Sequence, residues 1–352
     1  MKNKMLCMSL LLGFILFPGF SQKKLTIVTT MFPQFDFTRA VAGDKADITM
    51  LLKPGAESHS YEPTPKDMKK IHKADLFIYT GAENDAWAES ILKNLGKKGP
   101  KTMAFLDLVD TVEEEIVEGM THEHHHEEGE HHHHEEGEDH HHDDDEDEED
   151  EHHEHHHEDE HHHEEGEHHH HHDGEEEELD EHVWTSPLNA VKIVSAICDE
   201  LCALDAVNAD YYKKNAAKYI DELLALHKSF EEVVNNANRK IFVFGDRFPL
   251  RYFADLYGLE YYAAFPGCAT DVEASASTIK FLINKVKEEK IPVVFTIEFS
   301  NGKIADTICE ATGAKKLEFH SCHNVSADDI KKGETYVSLM KRNVIVLREA
   351  LK

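Results

Sequence analysis

The sequence predicts an α/β fold: two βα lobes with mostly parallel sheets, joined by one long helix. Three observations lead there. Short β-branched runs alternate with helical stretches on both sides of a biased segment at 122–178, the pattern of βα units. The stretch from Ala209 to Asn236 contains neither Gly nor Pro. Setting aside a leader of 21 residues and the 57 biased residues leaves 274 of the 352, which suits two domains at about 100 to 200 residues each.

Taken in order, Lys2 and Lys4, the apolar run from Leu6 to Phe20 and the small-residue pattern at Gly19 to Ser21 read as a secretory signal peptide over 1–21. The run is short for a spanning helix, so an exported, non-spanning protein is expected. The first lobe, 22–207, should contain strands at Leu25 to Thr29, Ile48 to Leu52, Leu76 to Tyr79 and Thr102 to Phe105. A helix should begin at Thr64-Pro65, a cap residue with a first-turn proline, and another should run from Trp87 to Leu95. The linking helix, 208–238, places Tyr212, Ala216, Tyr219, Leu223, Leu226 and Phe230 at three- and four-residue spacing. At 1.5 Å per residue it would be roughly 40 Å long. An ordinary long surface helix would show the same periodicity. The second lobe, 239–352, should carry strands at Ile241 to Phe244, Leu259 to Ala263, Val293 to Ile297 and Lys315 to Leu317. Its helices are expected near Ala276 to Glu289, Lys303 to Thr312 and Lys332 to Leu351.

Between His122 and Glu178 every residue is His, Asp, Glu or Gly: 24 His, 29 acids and 4 Gly. Of the 70 acids in the chain, 41 lie elsewhere against 37 basic residues, so the body carries a net charge of only −4. The strong negative charge belongs to the insert, and no basic, aromatic-interleaved surface points to nucleic acid. Five cysteines follow the leader, an odd number that leaves at least one free thiol. Cys198 and Cys202, four apart on a helix, are expected as buried apolar residues. Cys268 and Cys322, in loops after strands, are favoured as a bridge in an exported setting.

Six histidines lie outside the insert: His59, His72, His182, His227, His320 and His323. His72 among Lys69, Lys70 and Lys73, and His227 beside Lys228, look like solvated helix positions. The other four fall in loops or at element edges, where a scaffold presents binding groups. His59 closes Pro54-Gly55-Ala56-Glu57-Ser58-His59 between a strand and a helix, the end of an open α/β sheet where ligands bind. His182 stands in Asp180-Glu181-His182-Val183-Trp184-Thr185-Ser186-Pro187, among groups able to orient it.

These phrases, with the His-rich acidic insert between them, resemble the metal-binding solute-binding proteins that serve ATP-driven zinc and manganese uptake transporters. The likeness extends from about Leu25 to Leu351. It implies a metal site in the cleft between the lobes, with His59 and His182 supplied by the first lobe. The family's second lobe gives a His or Glu after its first strand, but here that stretch, Phe244 to Phe253, has no histidine. Asp246 is the nearest group able to bind a cation, and Arg247 cannot. The last ligand, an acid before a serine, falls on His320 in Glu318-Phe319-His320-Ser321-Cys322-His323; His323 or water are alternatives for the third. Three imidazoles with at most one carboxylate favour Zn2+ over Mn2+. A closed four-ligand site suits holding rather than reacting, so no enzyme is expected, and acid should weaken binding as protons compete for imidazole. By resemblance the protein is expected to be an extracytoplasmic monomer that hands zinc to the permease of an ABC transporter.

Two HExxH patterns occur in the insert, His153 to His157 and His157 to His161, but a metalloprotease helix needs apolar packing that no residue there supplies. Without apolar side chains the insert is expected to stay unfolded in the absence of metal and to gather or sense zinc at many weak sites. Competing roles are a solvated acidic loop, a metal-buffering or storage protein, a metallohydrolase and a surface adhesin. The last two lack a general base beside an open metal and a recognisable binding module.

Overall fold

The computed structural model describes residues 23–57, 61–81, 85–120, 179–267 and 274–352. The expected leader, His59, the insert and Cys268 lie outside them. Two sheets of four parallel strands are present, with the same strand order in each. The first comprises β1 (Leu25–Thr29), β2 (Ala46–Met50), β3 (Leu76–Tyr79) and β4 (Lys101–Ala104) in the order β2-β1-β3-β4. The second comprises β5 (Ile241–Phe248), β6 (Glu260–Pro266), β7 (Val293–Thr296) and β8 (Lys315–Glu318) in the order β6-β5-β7-β8. Central β3 and β7, LFIY and VVFT, are buried throughout, as strands covered by helices on both faces must be.

The helices are α1 (Phe32–Ala42), α2 (Pro65–Lys73), α3 (Ala86–Leu95), α4 (Pro187–Leu204), α5 (Ala209–Asn235), α6 (Arg251–Tyr257), α7 (Ala276–Glu288), α8 (Lys303–Thr312), α9 (Ala327–Lys332) and α10 (Tyr336–Ala350). At the start of α2 the Thr64 side chain accepts from Asp67 N–H, Asp67 answers to Thr64 N–H, and Pro65 fills the first turn, a complete capping box. Helix α5 buries Tyr212, Ala216, Tyr219, Leu223, Leu226 and Phe230, with Val233 and Val234. It packs on α1 and α4 of the first lobe and on α6 and α10 of the second. One apolar core therefore runs through both lobes, and two smaller cores lie under the outer sheet faces.

Some elements differ from expectation for local reasons. The helix expected from Lys332 to Leu351 divides where Gly333 takes a left-handed φ of 74°, and Thr335 caps a new helix, α10. Strand β5 extends to Phe248 with a register irregularity between Phe244 and Arg247, which leaves Gly245 and Asp246 out of regular pairing with β6. Helix α1, with Phe32, Phe35 and Phe37, was not among the expected elements; it is buried on more than one face and so lacks the clean apolar stripe that marks a surface helix. The favoured Cys268–Cys322 bridge is corrected: Cys322 is a free, fully buried thiol, pushed well above the usual thiol range by burial and the Glu298 charge. Cys198, Cys202 and Cys309 are free as well.

Candidate metal centre

The chain segments that matter leave the carboxyl ends of strands: Leu51–Glu57 after β2, Gly267 after β6, Ile297–Phe299 after β7 and Phe319–Asn324 after β8. Parallel α/β sheets bind ligands at that end. His182 sits just before the short 3-10 turn Val183–Thr185 that leads into α4. It is fully buried. Its backbone N–H donates to Asp180 Oδ1 at 2.8 Å and its Nδ1 lies 3.0 Å from the same oxygen. A proton on Nδ1 shared with Asp180 places the ring's lone pair on Nε2, the carboxylate–imidazole arrangement that orients metal-binding histidines. Burial opposes the imidazolium, but the Asp180 charge and hydrogen bond outweigh it and raise the His182 pKa above its ordinary value. Asp180 is itself held across the lobes, since Tyr252 on α6 donates to its carbonyl at 2.8 Å.

Opposite His182 stands His323, with ring centroids 4.5 Å apart and planes at 90°. Trp184 packs edge-on against both rings, at 5.6 Å and 4.9 Å, and its indole N–H donates to Ser321 carbonyl at 2.9 Å. The His323 loop is shaped by Glu298, which is 7% exposed. One Glu298 oxygen accepts from Ser321 N–H at 2.7 Å; the other accepts from Ser321 hydroxyl at 2.6 Å and from His323 N–H at 3.2 Å. Cys322 takes a left-handed φ of 64°, which reverses the chain between His320 and His323 at the modest cost a non-glycine carries there.

Gly267 completes the wall. A Cβ at this position would lie 2.9 Å from Phe248 carbonyl and 3.0 Å from His182 Cε1, so no larger residue fits without moving the imidazole. Gly267 and His323 line a cavity of about 20 Å³ together with Glu57, Arg247, Glu298 and Asn324. That is room for about one water-sized particle.

The expected residues divide. His182 and His323 come together. No ring contact joins His320 to either of them among the described residues, although it lies on the same loop. His320 is 6% exposed, its Nδ1 accepts Cys322 N–H at 3.0 Å and lies 3.5 Å from Glu298 Oε1, and its backbone exchanges hydrogen bonds with Asn343. Asp246 accepts from Arg247 N–H and Ile297 N–H. Burial raises its carboxyl pKa, and it lines a separate cavity of about 190 Å³ with Ser300 and Ile304. Among the described residues no three His, Cys, Asp or Glu side chains are grouped to hold a metal. Glu298 and Asn324 carried no sequence signal, since a loop-shaping acid or amide reads like any polar loop residue. Asp180 was visible only as one of several polar neighbours of His182.

Two all-parallel sheets, a long helix common to both, and imidazoles facing one another where the lobes meet define a two-lobe metal-binding solute-binding protein. The family model "Zinc-uptake complex component A periplasmic" matches residues 27–350, and the chain belongs to that family. It is 32% identical over 327 residues to zinc-binding lipoprotein AdcA of Streptococcus pneumoniae, covering 93% of this chain and 56% of AdcA. It is 30% identical over 328 residues to the high-affinity zinc uptake system protein ZnuA of Bacillus subtilis, covering 93% of this chain and 88% of that protein. The chain thus spans about half the length of the AdcA relatives it matches. The crystal structure of the Zn(II)-bound ZnuA-like domain of S. pneumoniae AdcA superposes with a TM-score of 0.67 at 29% identity, covering 94% of this chain and 99% of that domain. The B. subtilis metal-dependent lipoprotein YcdH superposes at 0.68 and 27% identity over 93% of this chain.

Proposed function

We propose that this protein captures Zn2+ outside the cytoplasm and delivers it to the permease of an ABC transporter, acting as a carrier and not as an enzyme. The observation that carries this is the buried His182–His323 pair, with His182 oriented by Asp180, at the strand ends where the lobes meet. His59, two residues beyond the cavity-lining Glu57, supplies a third imidazole on the strength of the family resemblance. A neutral nitrogen-rich donor set suits zinc better than manganese. Of the second-lobe candidates, His323 takes precedence over His320, whose Nδ1 lone pair is already used by Cys322 N–H, and over Asp246, which lines the neighbouring cavity. The relatives' names, zinc-binding and zinc uptake proteins, agree with this cargo. A leader over 1–21 accounts for export, and among the described residues no helix is long and apolar enough to cross a membrane.

The test is zinc titration of the chain lacking 122–178 and of four variants made in it. His182→Ala and His323→Ala should each lose the tight site. His320→Ala and Asp246→Asn should keep it within a few-fold. Tight binding that survives the first pair and disappears with the second would transfer the site to the other residues.

A further inference from the structure

Arg247 stands in the stretch where the family resemblance calls for a metal donor, and a guanidinium cannot be one. Its side chain is only 11% exposed, and Nη1 lies 3.4 Å from Oε1 of Glu57, whose side chain is 49% exposed. The two belong to opposite lobes. Glu57 follows the turn after β2, and Arg247 stands at the irregular part of β5. Both line the small cavity beside His323 and the larger one beside Asp246. The pair therefore forms part of the wall between the cavities and runs from the enclosed cleft to the surface.

The turn that precedes Glu57 is anchored to the His323 loop. Asn324 Nδ2 donates to Lys53 carbonyl at 2.7 Å and to Ala56 carbonyl at 2.9 Å, and Gly55 N–H donates to Val325 carbonyl at 2.9 Å. With that turn fixed, a change in the ion pair moves Glu57 without parting the lobes. We infer that Arg247 and Glu57 form an ionic latch across the mouth of the cleft, which slows the escape of bound zinc. Arg247 is thus a positioning residue acting through Glu57, and the latch rests on the zinc-binding role proposed above. A partly exposed pair at this distance shifts an equilibrium by a factor of roughly two to five and weakens with salt. That strength suits a contact that must open on delivery.

A plain field effect would act differently. Removing the Arg247 charge would favour an incoming dication and removing the Glu57 charge would disfavour it, so the two substitutions would shift affinity in opposite directions. A latch makes both release zinc faster. Trp184, packed on both imidazoles, gives a local fluorescence signal that the insert does not share. The experiment is release of zinc from the full chain into excess chelator, followed by tryptophan fluorescence at low and high salt. Glu57→Gln and Arg247→Met should each release zinc roughly two- to fivefold faster at low salt, the gap should close at high salt, and Arg247→Lys should stay near the unaltered rate. Glu57 is half exposed, and an unchanged rate in its variant overturns the latch by itself; should Arg247→Met not fold, Arg247→Gln takes its place in comparing the directions of the two changes. Release rates unchanged in Glu57→Gln, or moved in opposite directions by the two changes, would overturn the latch alone. Failure of the unaltered chain to bind zinc tightly would overturn the zinc-binding role, and the latch with it.

Discussion

His182 shows how much a single buried imidazole depends on its surroundings. Asp180 fixes its ring through Nδ1, and Gly267 leaves just enough space against Cε1. Asp180→Asn should weaken zinc by about ten- to a hundredfold, the usual cost of losing such an outer partner. Gly267→Ala should weaken it comparably and lower the thermal midpoint as well, because the added Cβ meets the Phe248 carbonyl at 2.9 Å in addition to the ring; direct titration and thermal unfolding check these. The raised pKa of His182, caused by Asp180 against the opposition of burial, sets the direction of the pH response. A proton held more tightly than on an ordinary histidine competes with zinc from a higher pH downward. Affinity should therefore begin to fall before the pH reaches the ordinary histidine value of about 6.5, and competition titrations across pH 5 to 8 would show it. The residues of this site were only partly legible. The His182 phrase is visible in sequence because Asp, His and Trp fall within five positions. The proposed preference for His323 over His320 has no sequence signal, because it depends on a left-handed Cys322 and on Glu298 from the loop after β7, which no local pattern reveals.

The elements were more legible than their junctions. Helix α5 was readable because its apolar spacing is unbroken over many turns, and the buried strands because they are short β-branched runs. Junctions depend on side chains distant in sequence. Asp36 on α1 is 1% exposed and accepts from Arg39 Nε at 2.7 Å, Tyr219 hydroxyl on α5 at 2.6 Å and Tyr336 N–H at the start of α10 at 2.9 Å. It ties three helices of both lobes together, and Asp36→Ala should cost about 3 to 5 kcal/mol by leaving Arg39 and these donors uncompensated. Denaturant unfolding measures this. At the end of β3, Asp85 accepts from Thr80 N–H at 2.6 Å, yet burial raises its pKa to about 6 against these hydrogen bonds. A folded-state pKa above the unfolded value means that the native state holds the proton more tightly. Stability should thus decline as pH rises from about 4 to about 6, by up to roughly 3 kcal/mol for this group. The part of the decline due to Asp85 should disappear in Asp85→Asn, and unfolding curves of both proteins at pH 4, 5 and 6 measure the difference.

For the molecule as a whole, the shared core and the cross-lobe hydrogen bonds argue against a wide hinge. His323 carbonyl accepts Phe32 N–H, Asn324 clasps the turn after β2, and Trp184 reaches Ser321. Capture and release then fall to local movement at the cleft mouth rather than to separation of the lobes. The insert at 122–178, with its 24 histidines, has a different job in this account: many weak sites that raise the local zinc supply. Its deletion should leave one tight site intact and remove the weak ones, whereas a storage protein would lose nearly all of its tightly held zinc. The central claim is that imidazoles from both lobes share one zinc ion, and X-ray absorption at the zinc edge of the singly loaded chain lacking 122–178 tests it most directly. Three imidazole nitrogens at about 2.0 to 2.1 Å, falling to two in His323→Ala and unchanged in His320→Ala, is the predicted result. An oxygen-dominated shell, or one untouched by the loss of His323, would contradict it.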